Sequence, residues 1–179
     1  EVFIGIVFTF IGACIGTVLI LFLSAEFLRV IIPFCLIAIF IYTLLMPKVG
    51  DEDRAARMNA RAFYVIFGLI LGFYDGFFGP GAGSFWTFAM VALIGLNMKK
   101  AVAHTKILNF TSNIVSLVVF IAGGQILWTV GLLMGVGQVL GAYFGSNMVM
   151  KKDVKFVRVV FLAVVGATIL KLVYDRFFA

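Results

Sequence analysis

Long apolar runs separated by short polar connections dominate the pattern of the sequence. Val2–Leu23 has no charged residue over about the 20 positions that a helix needs to cross a bilayer. Five further runs have a comparable length: Leu28–Met46, Ala62–Phe78, Ala101–Ala122, Trp128–Met150 and Lys155–Phe177. Ser84–Leu96 is apolar but too short to cross comfortably alone. The pattern predicts an all-α polytopic membrane protein.

Composition supports this class and narrows the function. Hydrophobic residues make up 64% of the chain, against about 45–50% in a soluble domain. The net charge of +6 comes from residues in the connections, so we expect no nucleic-acid partner. Cys14 and Cys35 lie in separate apolar runs and are interpreted as small hydrophobic residues. With one histidine and no metal-ligand cluster, we predict neither an enzyme nor a cofactor.

The distribution of lysine and arginine predicts the orientation in a cell (inner or plasma) membrane. The basic connections 47–61, 97–100 and 151–155 should be cytoplasmic, because cytoplasmic loops carry an excess of these residues. The connections 24–28 and 123–127 should be external. This scheme is consistent only if 62–97 is a broken, re-entrant hairpin, and it places the C-terminus outside.

A short motif recurs at a fixed spacing. Ile11–Thr17 (IGACIGT) matches Leu140–Ser146 (LGAYFGS), and the register continues through three further pairs 129 positions apart: Phe27 with Phe156, Arg29 with Arg158, and Val30 with Val159. The loop inside the first copy is predicted to be external and that inside the second cytoplasmic. Opposite orientation predicts an inverted repeat, as in many secondary transporters. Chance similarity between apolar helices is the alternative.

The repeat implies a domain organisation. Residues 1–46 would be the end of a first repeat, 47–61 a charged connection, and 62–179 a second repeat. The second repeat would contain the broken hairpin 62–97, a polar-faced helix 101–122, and helices 128–150 and 155–177. Since 62–122 has no partner within the chain, we expect the N-terminal half of the transporter to precede Glu1.

The segment Gly79–Gly83 is the first candidate site. Three glycines and a proline in five residues do not sustain a helix, so backbone groups become free at membrane depth. Ser84 suits the N-cap of a following helix 85–96, whose N-terminus would attract an anion. The predicted substrate-binding residues here are Gly79, Gly81, Ala82, Gly83 and Ser84. A tight loop capped by its own side chains is the alternative.

Asp75 lies just before this segment. A carboxylate within a membrane helix is costly unless it is paired or faces water, so it is a functional candidate. It could carry a proton, bind a cation, or accept hydrogen bonds from the glycine-rich loop. The sequence leaves these three roles open.

The helix from Ala101 supplies a polar stripe. Lys106, Asn109 and Asn113 follow helical spacing, as do Thr105, Asn109, Ser112 and Ser116. We expect Lys106, Asn109 and Asn113 to bind an anion. The alternatives are helix–helix hydrogen bonds for the amides and hydroxyls, and a surface position for the lysine. Three weaker candidates complete the set: His104, which could equally be interfacial, Gln138 and Asn147.

These residues carry a resemblance to a known family. The motifs GFYDGFFGPGAGS at 72–84 and AVAHTKILNFTSN at 101–113 resemble the second half of the TauE/SafE sulfite exporters, also called toluene-sulfonate uptake permeases. The resemblance runs along the whole chain. It implies an eight-helix inverted-repeat transporter for sulfite, sulfonates or related sulfur-containing anions.

The functional hypothesis is therefore a secondary transporter, more specifically an exporter, of small inorganic or organic sulfur-containing anions. With a negative cell interior, outward movement of an anion gains about 2.3 kcal/mol per charge and 100 mV. The alternatives are a passive anion channel and a proton- or sodium-coupled uptake permease. The lipid bilayer is the other expected partner, and homodimer formation is left open.

Overall fold

A computed structural model describes residues 1–45, 53–151, 163, 164, 166, 167 and 171 of the chain. Six helices are defined in this part: α1 Val2–Leu21, α2 Ala25–Leu45, α3 Ala60–Phe77, α4 Ala82–Leu93, α5 Met98–Ala122 and α6 Trp128–Lys151. Four helices or parts of helices are long and apolar enough to cross a membrane: Val2–Leu21, Ala60–Phe77, Met98–Ala122 and Trp128–Gly145. The predicted class, an all-α polytopic membrane protein, is confirmed.

The chain forms two compact units. The first comprises Glu1–Leu28 and Leu45–Gly124, and contains α1, α3, α4 and α5. The second comprises Arg29–Leu44 and Gln125–Ala179, with most of α2 and all of α6. All predicted binding residues except the weaker candidates Gln138 and Asn147 lie in the first unit.

Close packing of α1 against α3 organises the first unit. A Cβ atom at Gly16 would lie 2.2 Å from the carbonyl oxygen of Phe73, and one at Gly12 would lie 2.4 Å from that of Leu69. Cβ atoms at three glycines of α3 would lie 2.4–2.8 Å from atoms of α1: Gly68, Gly72 and Gly76. Small residues let helix backbones approach in this way, which is a common basis of helix association in membranes. We call these five glycines the α1–α3 seam.

The apolar core of the first unit joins α3, α4 and α5. Its largest fully buried side chains are Phe63 and Tyr64 of α3, Trp86 and Met90 of α4, and Leu108 of α5. Phe63 stacks on Phe67 and meets Trp86 edge-on, with ring centroids 4.8 and 6.3 Å apart. This cluster fixes α4 between its two longer neighbours.

Helices α3 and α4 form a hairpin whose two open ends lie together. The backbone N–H groups of Arg57 and Met58, just before α3, donate to the carbonyl oxygen of Leu93, the last residue of α4. The Arg54 N–H donates to the carbonyl of Gly95 at 2.8 Å. The chain therefore leaves this end along α3, turns, and returns to it along α4.

The turn between α4 and α5 is fastened to the segment before α3 by Asp53. Its carboxylate accepts hydrogen bonds from the Asn97 N–H at 2.7 Å and from the Lys100 ammonium at 2.5 Å. These two donors hold the pKa of Asp53 below its usual value. Because the pKa of Asp53 is lower in the folded than in the unfolded chain, the ionised carboxylate stabilises the fold at neutral pH. This stabilisation is lost as the pH falls through the pKa of the folded state.

Replacing Gly95 by alanine is expected to lower the thermal unfolding midpoint of the detergent-solubilised protein. Gly95 has a φ of +72°, and a Cβ there would lie 2.1 Å from the Arg54 carbonyl oxygen. Strain and clash together should cost roughly 2–4 kcal/mol. Gly124 is the matched control because its φ is +65° and no atom of the described residues lies within 4 Å of its Cβ position. Equal losses in both variants would contradict the role of the Gly95 contact.

Several predicted boundaries require correction. α3 begins at Ala60 rather than Ala62, because the Asn59 side chain caps it by accepting from the N–H groups of Arg61 and Ala62. α5 begins at Met98 rather than Ala101, because Asn97 is its N-cap. The basic residues at 98–100 thus form a helical turn rather than a loop.

α2 begins at Ala25 rather than Leu28, and it continues through Pro33 in the second unit. The glycines of α6 are predicted to permit close helix contact. Within the described residues, no atom lies within 4 Å of a Cβ at Gly135, Gly137, Gly141 or Gly145. The predicted helix 155–177, which includes the end of the second copy of the repeat, lies largely outside the described residues, as do residues 47–52 of the connection 47–61.

Candidate functional site

The break between α3 and α4 is shorter than the glycine-rich segment. α3 ends at Phe77 and α4 begins at Ala82, so Ala82 and Gly83 are helical rather than part of the loop. Gly79 and Gly81 have φ values of +84° and +81°, which is the left-handed conformation that favours glycine. The Tyr74 hydroxyl donates to the carbonyl oxygen of Pro80 at 2.6 Å and ties the loop to α3.

The prediction that Ser84 caps α4 is wrong. The N-cap is Gly81, which makes no side-chain cap, and Ser84 lies within the first turn. The reason is that the left-handed Gly81 allows the helix to start three residues earlier. The Gly81 carbonyl accepts from the N–H groups of Ser84 and Phe85, at 2.9 and 3.1 Å.

Few backbone donors remain free at the start of α4. The Ala82 N–H donates to the Gly79 carbonyl at 3.1 Å. Within the described part of the chain, no hydrogen-bond acceptor is found for the N–H groups of Gly81 and Gly83. These two groups are the backbone donors available to an anion here.

Asn109 of α5 faces the start of α4. A Cβ at Gly83 would lie 3.3 Å from Nδ2 of Asn109, so a larger residue at this position would require the Asn109 amide to shift. Oδ1 of Asn109 is buried and has no hydrogen-bond partner among the described residues. A buried polar atom without a partner is costly and indicates either a bound group or water.

Asp75 meets both the break and α5. Its Oδ2 accepts a hydrogen bond from the hydroxyl of Ser112, which is almost fully buried. Its Oδ1 lies 3.6 Å from the position that a Cβ would occupy at Gly79. The carboxylate therefore lies between α5 and the loop. The sequence placed Ser112 on the polar stripe but gave no indication of this pair.

The polar stripe of α5 divides into two parts. Thr105 contacts the hydroxyl of Thr87 at 3.1 Å, and Ser116 contacts that of Thr17 at 2.8 Å. Thr105 and Ser116 therefore form hydrogen bonds between helices, which was the alternative to anion binding for the hydroxyl groups of the stripe. Lys106 and Asn113 are exposed instead. At about 100° per residue they lie within roughly 60° of Asn109 around α5, so Asn109 lies at the edge between the two faces.

The structure does not bring His104 to the break. Its Nδ1 forms a hydrogen bond with the hydroxyl of Tyr64 at 2.7 Å, near the start of α3. His104 precedes Ser112 by eight residues, or about 12 Å along α5. The site at the break thus consists of Asp75, Gly79, Gly81–Ser84 and Asn109, with Lys106 and Asn113 beside it. Three polar contacts that sequence reasoning missed surround it, from Tyr74, Thr17 and Thr87.

No group of three or more histidine, cysteine, aspartate and glutamate side chains that could hold a metal ion occurs among the described residues. The site offers amide, hydroxyl and backbone N–H donors, one carboxylate, and one nearby ammonium. Donors of these kinds can form hydrogen bonds with an oxyanion, and the carboxyl group can exchange a proton.

A family model described as Sulfite exporter TauE/SafE matches residues 1–172. The chain belongs to this family. The family resemblance stated from the two motifs is thereby confirmed. The family and its relatives are described as transporters, which agrees with the prediction that the chain is not an enzyme.

Three relatives of this TauE/SafE chain carry similar names. The probable membrane transporter protein YfcA of Escherichia coli K12 is 48% identical over 172 residues, which cover 96% of this chain and 64% of that protein. A probable membrane transporter protein of Haemophilus influenzae is 43% identical, covering 98% and 69%. The probable membrane transporter protein ORF9 of Sinorhizobium is 43% identical, covering 92% and 63%. The chain thus spans just under two thirds of the Escherichia coli relative. No solved structure matches it.

Proposed function

We propose that the whole protein is a secondary transporter of small sulfur-containing anions, such as sulfite or organosulfonates, in the cell membrane. The anion binds where the break between α3 and α4 faces Asn109 of α5. The observation that carries this proposal is the amide Nδ2 of Asn109, a hydrogen-bond donor that lies 3.3 Å from the Cβ position of Gly83 and thus beside the free N–H groups at the start of α4. The family description and the names of the relatives support the substrate class and the activity.

The depth of the break supports its role in a pathway. Asn109 is the twelfth residue of α5, so it lies about 17 Å from the start of a helix about 37 Å long. If α5 crosses the bilayer, the turn of the α3–α4 hairpin lies near the midplane. Substrate sites of secondary transporters commonly lie at this depth, where interrupted helices turn their N-termini towards anionic groups.

The available donors suit an oxyanion. The free N–H groups of Gly81 and Gly83 and the side-chain amides of Asn109 and Asn113 can donate to its oxygens, and Lys106 supplies a positive charge. A pyramidal or tetrahedral oxyanion accepts several such bonds at once. The ammonium neutralises charge that would otherwise be costly at membrane depth.

The direction of anion transport depends on whether a cation is transported with the anion. Export of an anion is driven by a negative cell interior without a second ion, at about 2.3 kcal/mol per charge and 100 mV. Uptake requires a co-transported cation. The carboxylate of Asp75 beside the break favours a coupled permease as the second candidate function. A passive channel would share these donors but would show neither saturation nor counterflow.

A binding panel tests the proposal. The whole protein in detergent is titrated with sulfite, sulfate, thiosulfate, taurine and sulfoacetate, and ligands that bind are followed by counterflow in proteoliposomes. We expect at least one sulfur-containing anion to bind, and Asn109→Ala to weaken it roughly tenfold, about the 1.4 kcal/mol of one hydrogen bond to a charged group.

Thr111→Ala is the matched control because Thr111 lies two residues away and, among the described residues, its hydroxyl bonds only to its own helix, at the Ile107 carbonyl. It should bind the anion like the wild type. The proposal fails if none of the five anions binds, or if the Asn109 and Thr111 variants bind equally well. Flux without saturation or counterflow would favour the channel.

A further inference from the structure

We propose that Asp75 takes up a proton when the anion binds and releases it when the anion leaves, so that anion and proton cross the membrane together. This inference rests on the proposed function and specifies its coupling. The juxtaposition that carries it is a membrane-helix carboxylate held between Ser112 and the glycine loop, at the same break where the anion binds.

The position of Asp75 makes its charge sensitive to the anion. Ser112 donates to Oδ2, and Oδ1 lies beside Gly79, two residues before the free N–H of Gly81. An anion at Gly81 and Gly83 would therefore lie close to this carboxylate. Two negative charges in a site of low dielectric repel each other strongly, and protonation of the carboxyl group removes that repulsion.

Among the described residues of the first unit, no lysine, arginine or histidine forms an ion pair with Asp75. α1 and α4 contain no lysine, arginine or histidine. On α5, His104 is bonded to Tyr64, Lys106 is exposed six residues before Ser112, and the remaining lysines lie in the first turn. The carboxylate is thus stabilised by hydrogen bonding rather than by an ion pair.

The oxygens around Asp75 favour a proton over a metal cation. A sodium ion would need several free oxygen ligands, but most carbonyls of the break already accept hydrogen bonds. The occupied ones are those of Tyr74, Gly76, Gly79, Pro80 and Gly81. A proton needs only one oxygen. The unpartnered Oδ1 of Asn109, three residues before Ser112, offers an acceptor for a proton-bearing group in the same region.

Thermodynamic linkage makes proton binding and anion binding mutually favourable. If protonation of Asp75 strengthens anion binding, anion binding must raise the proton affinity of Asp75 by the same factor. Couplings of this kind typically amount to about 5- to 150-fold. A monoanion that crosses with one proton moves no net charge, so the proton and substrate gradients, rather than the membrane potential, set the direction.

The test uses sulfate and methanesulfonate, whose own charges stay constant between about pH 5 and pH 8. For the wild-type whole protein, we expect affinity to fall at least fivefold as the pH rises across this range. Asp75→Asn should bind with an affinity independent of pH. Asp53→Asn is the matched control: it removes an exposed carboxylate from the segment before α3, away from the break, and should keep the wild-type pH dependence.

A second measurement does not depend on a variant. Adding either anion to wild-type protein in weak buffer should cause proton uptake, which a pH indicator detects. Binding that is independent of pH without proton uptake would overturn the proton coupling and leave the proposed anion transport intact. A pH dependence that persists in Asp75→Asn would also overturn it. If neither anion nor any of the panel binds at any pH, the proposed function fails as well.

Discussion

Replacing Gly16 by alanine is expected to prevent the accumulation of folded protein in the membrane. A Cβ at this position would lie 2.2 Å from the carbonyl oxygen of Phe73 and 2.9 Å from the N–H nitrogen of Phe77. Both are backbone atoms of α3, so no side chain can turn away to relieve the clash. The gain in helix propensity of about 1 kcal/mol is small against a loss of roughly 3 kcal/mol or more from overpacking.

The loss of packing should extend along the whole α1–α3 seam, because a rigid helix cannot move away from its neighbour at one residue alone. Moving α1 away at Gly16 would also break the hydrogen bond from Thr17 to the Gly76 carbonyl, now 3.0 Å long. The measurement is the yield of monodisperse protein on size exclusion from equal amounts of membrane. Ile15→Ala is the control, since Ile15 is the neighbour of Gly16 on α1 and its side chain is 55% exposed. A normal yield of Gly16→Ala would show that the helices separate at little cost.

The helices and the break were predictable because they follow from local chemistry. Uncharged runs of bilayer length have no alternative to helix in lipid, where every backbone group needs a partner within the segment. The sequence Gly79-Pro80-Gly81 likewise favours a helix end, because a proline stands between two glycines that adopt positive φ, whereas the single Pro33 is accommodated within α2. The family motifs at 72–84 and 101–113 were also readable directly from the sequence.

Exact ends and partners were not predictable because they depend on tertiary geometry. Ser84 is a good capping residue, yet Gly81 adopts a left-handed conformation and starts α4 earlier. The bond between Ser112 and Asp75 joins residues 37 positions apart, and no spacing rule connects them. Helical periodicity placed both on plausible faces but could not say which faces meet.

The same limit explains the division of the polar stripe. Periodicity groups residues by angle on α5, whereas burial depends on where α1, α3 and α4 lie. Asn109 falls at the boundary, with its amide directed towards α4 and its neighbours Lys106 and Asn113 exposed. A site that uses all three residues must therefore lie at the edge of the first unit rather than in its core.

Replacing Lys106 by alanine is expected to reduce anion transport by roughly 30-fold or more. The side chain lies one turn before Asn109 on α5 and is exposed, so its ammonium can reach an anion at the edge of the break. Removing one partner of a charge pair in a site of low dielectric costs about 2 kcal/mol or more, which corresponds to this factor. Lys106→Arg should retain part of the activity, because it keeps the charge but presents a planar fork of different reach.

Lys99→Ala is the matched control for this lysine. Lys99 is exposed seven residues earlier, on the same face of α5 but in its first turn, about 10 Å further from the break. Its removal should leave transport near the wild-type level. All three variants are compared in proteoliposomes containing equal amounts of protein, with initial rates measured over a range of anion concentrations. Normal rate and affinity in Lys106→Ala would mean that the lysine only anchors α5 at the membrane surface. The anion would then be held by the Gly81 and Gly83 N–H groups and by Asn109 without a compensating cation from α5.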